Sequence, residues 1–454
     1  MSVPAPTYSR VCGRNVTTHR QFAAYSLPFM RKLERDSLEA IASRVGTPFY
    51  FYDGDWLRES AARFAGAALG EGSAARYAMK ANSGRKILEL MRDQGFWIDA
   101  VSGNEVLRAR RAGFPGGHEP PVILLTSDVF RDNALETVLR ERVTPNVGSP
   151  GMLEELRAAG YRGPVAVRVN PGFGQGHVEA TDTGGPSSKH GIWPDRLADV
   201  RRRAKDSGLT ITLLHAHVGT GPALLEFDTN VNRLVEFFRA LLPEFPDASA
   251  VSLGGGIPHP YRPGDPAYDP GALRSILSQA VRDLSQAARR PIRVEIEPGR
   301  FLVAGGAALV TRVKDVKETR ANDRGPGHTF VMVDAGFCDL VRPALYGAYH
   351  EIQVLGARGS RPPEPLVVAG PLCESGDVFT RGEQELLEPR SMPRPDPGDL
   401  LALHDAGAYG ASMSSNYLSI GRAAEVWWEK GKATLVARRE SLEDVVAAEC
   451  EESI

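Results

Sequence analysis

Between about residue 47 and residue 302 the chain alternates between two patterns of apolar positions. Short β-branched or aromatic runs end in Gly, Ser or Asn, and Ala/Leu/Arg/Glu segments with helical spacing follow them. After an aromatic run at 49–52, the pattern predicts strands at 76–80, 97–101, 122–126, 144–147, 165–169, 212–217, 250–253 and 293–297. Helical stretches at 85–94, 104–112, 152–159 and 224–241 lie between them. Strands separated by crossover helices in this number predict an α/β fold, a (β/α)8 barrel. A doubly wound sheet is the competing arrangement, but no Gly-x-Gly-x-x-Gly opens its first helix.

Past residue 303 the pattern changes to strands alone, at 308–316, 329–334, 366–368, 399–404 and 433–437. Loops rich in Pro and Gly at 356–365 and 388–398 separate them, which predicts a second, all-β domain of sandwich or barrel type. Three units are expected: a polar N-terminal segment 1–46 that packs with the C-terminal β domain, a barrel 47–302, and a β domain 303–454.

Composition narrows the function classes. The 454 residues suit two domains, and 42% hydrophobic with 24% charged residues is ordinary for a chain with a sizeable core. A net charge of -2 gives no basic footprint for nucleic acid or an anionic membrane. No apolar run approaches the ~20 residues of a membrane span. The first twenty residues lack a signal peptide's apolar centre, so a cytoplasmic protein is expected. Cys12, Cys338, Cys373 and Cys450 show no metal-ligand spacing, and a reducing compartment makes a chemical role likelier than a disulfide framework.

Candidate chemistry centres on Ala75-Arg-Tyr-Ala-Met-Lys-Ala-Asn82, an apolar strand that delivers Lys80 at its carboxyl end. The chain has nine lysines against 45 arginines, so a lysine here needs a reason. A buried amine titrates readily and suits a Schiff base with an aldehyde cofactor. The ordinary alternative is a lysine snorkelling out at a strand end. Other polar residues fall at corresponding points of successive units: Asp99, Asn170, His217, Gly254-Gly255-Gly256 and Glu297. In a barrel these points share one mouth. Three glycines let backbone N–H groups approach a phosphate. In Glu297-Pro-Gly-Arg300, a carboxylate facing a pyridine nitrogen would keep it protonated, which favours decarboxylation over racemisation. His215 and His217 alternate, so one ring is expected inside the barrel and the other toward the helices. No third ligand follows at metal-site spacing, so no metal is expected. The β domain adds Arg342 and Tyr346, Cys373 beside Glu374 in a glycine-rich loop, and Tyr409 in a Gly/Ser-rich loop. A cysteine in a turn is ordinarily a buried thiol, but an exposed one could donate a proton.

From about residue 48 onward the chain resembles the diaminopimelate branch of the fold-type III pyridoxal-phosphate decarboxylases, which includes ornithine and arginine decarboxylases. The resemblance rests on Arg168-Val-Asn-Pro-Gly-Phe-Gly-Gln-Gly-His177, Thr183-Gly-Gly-Pro-Ser-Ser-Lys-His-Gly191, Val294-Glu-Ile-Glu-Pro-Gly-Arg-Phe-Leu-Val303 and Pro371-Leu-Cys-Glu-Ser-Gly-Asp377. It implies an alanine-racemase-like barrel and decarboxylation of meso-2,6-diaminopimelate to L-lysine and CO2. By the same resemblance Lys80 would hold pyridoxal 5'-phosphate, His217 would stack on its ring and Glu297 would pair with its ring nitrogen. Asp99, Thr220, Gly255, Gly256, Gly299, Arg300 and Tyr409 would complete the cofactor site. Arg300, Arg342, Tyr346 and Tyr409 would hold the substrate, with Glu374 near its far amine and Cys373 supplying a proton. The resemblance also implies a homodimer in which Cys373 and Glu374 enter the neighbouring subunit's site. Two arginines suit a far carboxylate better than the far amine of ornithine.

Some positions depart from the family pattern. Leu418, Ile420 and Gly421 replace the usual Asn, Arg and Pro, Asn104 replaces a glycine, and Thr220 replaces a serine. Leu418 and Ile420 are expected to put apolar groups near a polar site. The alternative function is therefore a sister decarboxylase acting on another amino acid with a far carboxylate or amide.

Overall fold

The structure, a computed structural model, describes residues 33–175, 182–219, 224–323, 325–356, 361–382 and 386–452. Helix α1 (Arg35–Val45) and strand β1 (Phe49–Asp53) come first, and α2 (Gly54–Ala68) leads into a closed parallel barrel. Its strands are β2 (Ser73–Ala78), β3 (Trp97–Ala100), β4 (Ile123–Ser127), β5 (Thr144–Val147), β6 (Pro164–Arg168), β7 (Thr210–His215), β8 (Ala250–Ser252) and β9 (Arg293–Ile296). The ring closes where Ala75 of β2 lies opposite Ile296 of β9. Around it run α3 (Arg85–Asp93), α4 (Gly103–Arg111), α5 (Ala134–Glu141), α6 (Gly151–Ala158), α7 (Leu197–Asp206), α8 (Leu224–Leu241) and α9 (Pro270–Ala288). The expected barrel is present, with every expected barrel strand within a few residues of its place.

Local chemistry sets several of these boundaries. Asp53 caps α2 by accepting from Trp56 N at 3.0 Å. Ser102 accepts from Glu105 N while the Glu105 carboxylate accepts from Val101 N, a reciprocal cap on α4. Asp269 caps α9, and Pro270 occupies its first turn, where a missing N–H costs nothing.

Because side chains alternate along a strand, every second barrel residue points inward. At the amino end these residues are Arg76, Trp97, Arg293 and Glu295. Arg76 Nε meets Glu295 Oε2 at 2.5 Å with both side chains fully buried, and Arg293 Nε meets Glu295 Oε1 at 2.9 Å. The Trp97 ring lies 4.8 Å from the Arg76 guanidinium and 5.1 Å from that of Arg293. Above them Leu124, Ala166, Leu213 and Ala250 form a small apolar cluster separate from the main core. The carboxyl end is polar again. This layering plugs the barrel below the site and leaves chemistry only at one mouth.

The second domain adds β10 (Ala307–Glu318), β11 (Thr329–Val333), β12 (Ile352–Leu355), β13 (Pro363–Ala369), β14 (Arg390–Pro393), β15 (Leu400–Leu403), β16 (Ala424–Glu429) and β17 (Lys432–Ala437). The path runs β14-β13-β11-β10-β1-β16-β17, with β15 joining β10 to β12. A bulge between Val313 and Asp315 lets β10 serve both halves of this sheet. Strand β1 therefore belongs to the second sheet and not to the barrel segment that was expected to start at residue 47. It pairs antiparallel with β10 and parallel with β16. Phe49 and Phe51 face Leu38, Ile41 and Ala42 of α1, whereas Tyr50 and Tyr52 join the main core shared with the barrel. Both faces are covered, which is why its residues are uniformly apolar or aromatic up to Asp53. Among the described residues, no helix is long and apolar enough to cross a membrane.

Replacing Arg76 with Met should leave the Glu295 carboxylate buried with a single partner and cost about 3 kcal/mol of stability. Urea denaturation reads this loss, and the Arg76→Met/Glu295→Leu pair should recover most of it.

Candidate active site

The strand that carries the candidate lysine ends at Ala78, and Lys80 itself lies on a single 3-10 turn, Met79–Ala81. Lys80 is exposed, not buried as the apolar run implied, because the turn lifts it out of the sheet into the open barrel mouth. The turn is held from both sides. Ala78 N donates to Pro298 O at 3.0 Å, and Tyr77 OH donates to Asn82 O at 2.8 Å. From the β domain, Tyr409 N donates to Ala81 O at 2.8 Å and Asn82 Nδ2 donates to Gly407 O at 3.0 Å.

A pocket opens beside this turn. Lys80, Asp99, His217 and Glu297 line it from the barrel, and Tyr409 reaches it from the β domain. Gly255, Gly256, Gly299 and Arg300 complete the wall, together with Ala78 and Ile257. Residues singled out from one sequence signal each thus meet in one cavity. Thr220 lies outside the described residues.

The glycines are required by close approach. A Cβ on Gly255 would sit 2.3 Å from Glu297 O, and one on Gly256 would sit 2.4 Å from Gly219 O. Gly256 also has φ +99°, a conformation that side chains rarely adopt. Backbone N–H groups can therefore line the pocket directly, which fits a phosphate.

Glu297 is the anionic centre. Ser252 Oγ donates to its Oε1 at 2.7 Å, and His215 Nε2 lies 3.1 Å from its Oε2. Burial alone would raise its pKa, but the His215 contact and the Ser252 hydrogen bond outweigh burial and hold it below the usual carboxylate range. Asp99 behaves oppositely. Burial, and then the neighbouring Glu297 charge, push it up to about 6 despite Lys80 and a 2.5 Å hydrogen bond from Thr126. His217 is driven well below its ordinary value by burial and then by the Lys80 charge. Its Nδ1 accepts from Gly255 N at 3.2 Å, so the ring is neutral there. A neutral, buried imidazole can lie against a flat ring, and an ionised carboxylate can pair with a protonated ring nitrogen.

His215 corrects an expectation. Residues two apart on a strand share a face, so both histidines point inward, and His215 braces Glu297. The sequence reading also missed Ser252, whose small polar side chain carries no signal until β8 is set beside β9. It missed Arg168, a buried guanidinium at the end of β6 that feels the charges of Asp128, Glu297 and Asp99. Tyr261 was a third omission, and its hydroxyl accepts from Arg300 Nη1 at 2.7 Å.

Arg342 is buried behind Arg300, its guanidinium 4.7 Å from the Tyr261 ring, and Tyr346 closes the same short helix, Arg342–Tyr346. Cys373 and Glu374 do not line this pocket and are exposed on the loop 370–377. Asp377 staples that loop, accepting from Leu372 N at 2.8 Å and Phe337 N at 2.7 Å. Leu418 and Ile420 do not line the pocket either. Leu418 is half exposed on a surface turn with φ +57°, and Asn416 Nδ2 donates to Ile420 O. The apolar replacements expected near a polar site are therefore away from it in this protomer.

Comparison with known proteins agrees with this arrangement. The family of pyridoxal-dependent decarboxylases, through its pyridoxal-binding domain, matches residues 59–304. A diaminopimelate decarboxylase of Streptomyces coelicolor is 40% identical over 422 residues, 92% of this chain and 93% of that protein. That of Escherichia coli K12 is 40% identical over 421 residues, covering 92% and 97%. A crystal structure of a diaminopimelate decarboxylase superimposes with a TM-score of 0.82 at 39% identity, covering 91% of this chain and 96% of that one. The Helicobacter pylori enzyme complexed with L-lysine gives 0.77 at 28% identity, covering 90% and 98%. With these likenesses running over about nine-tenths of its length, the chain belongs to the diaminopimelate decarboxylase family of pyridoxal-dependent decarboxylases.

Proposed function

We propose that this protein uses pyridoxal 5'-phosphate to decarboxylate meso-2,6-diaminopimelate to L-lysine and CO2. The observation that carries the reading is the convergence of Lys80, Asp99, His217, Glu297, Arg300 and Tyr409 on one pocket. When bound, the cofactor supplies an electron sink for the pair left behind by departing CO2. Lys80 would hold its aldehyde carbon, and Gly255, Gly256, Gly299, Tyr409 and Thr220 would surround its phosphate. Glu297, kept ionised by His215 and Ser252, would hold the proton on the ring nitrogen. His217, kept neutral, would lie on the ring face without competing for that charge. Asp99 completes the pocket wall beside Thr126.

Arg300, Arg342 and Tyr346 would hold the substrate's far carboxylate by charge-assisted hydrogen bonds. Cys373 would protonate the reacting carbon, and Glu374 would meet the far amine. Both residues are exposed outside this pocket, which supports a reading in which they act in the site of a second copy and the working unit is a homodimer. The paired arginines suit a far carboxylate, which favours the diaminopimelate reading over a sister activity.

The direct test is product analysis: purified protein with cofactor should convert meso-diaminopimelate to lysine, and a cofactor-loaded protein that forms none sinks the proposal. Lys80→Ala should abolish the absorbance band near about 420 nm and the activity, with the far-ultraviolet dichroism unchanged. Glu297→Gln should lower kcat by roughly 10²-fold, the scale for removing one preorganised charge from a closed site. Mixing inactive Lys80→Ala and Cys373→Ala proteins should restore about a quarter of wild-type activity, because two-fold dimers pair statistically. No recovery after subunit exchange would place Cys373 in its own protomer's site.

A further inference from the structure

Tyr261, five residues beyond the glycine loop, touches both Arg300 and Arg342. Its hydroxyl accepts from Arg300 Nη1 at 2.7 Å. Its ring centre lies 4.7 Å from the Arg342 guanidinium carbon and 5.6 Å from that of Arg300, within reach of cation–π attraction. Two histidines meet the ring nearly edge-on, His259 at 4.9 Å and 78°, His350 at 5.7 Å and 71°.

Both histidines are braced in turn. His259 Nε2 lies 2.8 Å from Asp405 Oδ1. His350 Nε2 lies 2.9 Å from Arg342 Nη1, and its Nδ1 lies 2.7 Å from His404 O. A guanidinium only donates and a carbonyl only accepts, so His350 must be neutral, with its proton on Nδ1. Burial, and then the Arg342 charge, push its pKa down to about 3, in keeping with that single state. The ring of Tyr261 therefore sits in a socket with one arrangement.

Arg300 is left with unused capacity. Its Nε is buried without a partner among the described residues, and the side chain lines the pocket. A buried guanidinium N–H without an acceptor is costly, and a carboxylate oxygen of a bound substrate would satisfy it. Tyr261 fixes the plane in which that N–H is offered, and fixes Arg342 beside it.

We infer that Tyr261 is the positioning residue that sets specificity for a far carboxylate, by holding Arg300 and Arg342 as one preorganised receptor. The inference rests on the proposed reading that these arginines bind that carboxylate. It goes beyond that reading by assigning the discrimination to a residue that need not touch the substrate.

Steady-state kinetics of the cofactor-loaded protein test it, using meso-diaminopimelate and D-lysine, which keeps the reacting D centre and both amines but lacks the far carboxylate. Tyr261→Phe should raise KM for meso-diaminopimelate about tenfold with little change in kcat, the scale of one lost hydrogen bond to a charged group. Its preference for meso-diaminopimelate over D-lysine should fall by about the same factor. Tyr261→Leu, which also removes the ring face, should cost roughly a hundredfold in KM. Both variants should keep the cofactor's absorbance band. Unchanged KM and unchanged preference in both variants, while Arg342→Gln raises KM, would overturn the role of Tyr261 and leave the substrate reading intact. Unchanged KM in Arg342→Gln would instead overturn the reading on which the inference rests.

Discussion

The clasp between the Lys80 turn and the β-domain loop around Tyr409 is the constraint on which the rest depends. A barrel alone could present Lys80, but it could not close the pocket. The loop 405–410 enters the mouth so tightly that a Cβ on Gly407 would lie 1.9 Å from Val303 O. Tyr409 adopts φ +59° there, a conformation uncommon for a bulky side chain, and its N–H is spent on Ala81 O. Asn82 joins the two parts through Gly407 O and Tyr52 OH. The strain is held by backbone pairing on both sides of one lysine, so two folding units produce a single site.

Inside the barrel, charge is graded along the axis. A buried Arg76–Glu295 pair fills the amino end, four small or aliphatic residues fill the middle, and polar groups fill the mouth. At the mouth the carboxylates are pushed in opposite directions. His215 and Ser252 keep Glu297 ionised, and that charge helps raise Asp99 to about 6. One acid is thus reserved as a fixed negative charge while its neighbour is able to change state near neutral pH.

The barrel was legible because eight buried parallel strands carry near-continuous apolar runs, each followed by a turn residue. Its site was legible because chemistry collects at one end of such strands, which brought Lys80, Asp99, His217, Glu297 and the glycines together without any structure. Strand β1 was misassigned because a run covered on both faces looks the same in either sheet. The β12, β14 and β16 strands were not anticipated, being short or flanked by proline and charge. Lys80 was expected in the strand, but it lies on the 3-10 turn that follows the strand's end at Ala78. Ser252, His215 and Tyr261 act through partners distant in sequence, and only tertiary pairing reveals them. Leu418, a departure from the family pattern, is half exposed and does not line this pocket.

The functional account joins a lysine for the cofactor, an ionised acid for its ring nitrogen, and paired arginines for the far end of a dicarboxylic substrate. Its central claim is chemical and local: of nine lysines, Lys80 alone carries the cofactor. Borohydride reduction of the cofactor-loaded protein, followed by peptide mass spectrometry, tests this most directly. The expected result is a pyridoxyl group on the peptide containing Lys80 and on no other lysine. A label on a different lysine, or no label on protein that still turns over substrate, would contradict the account.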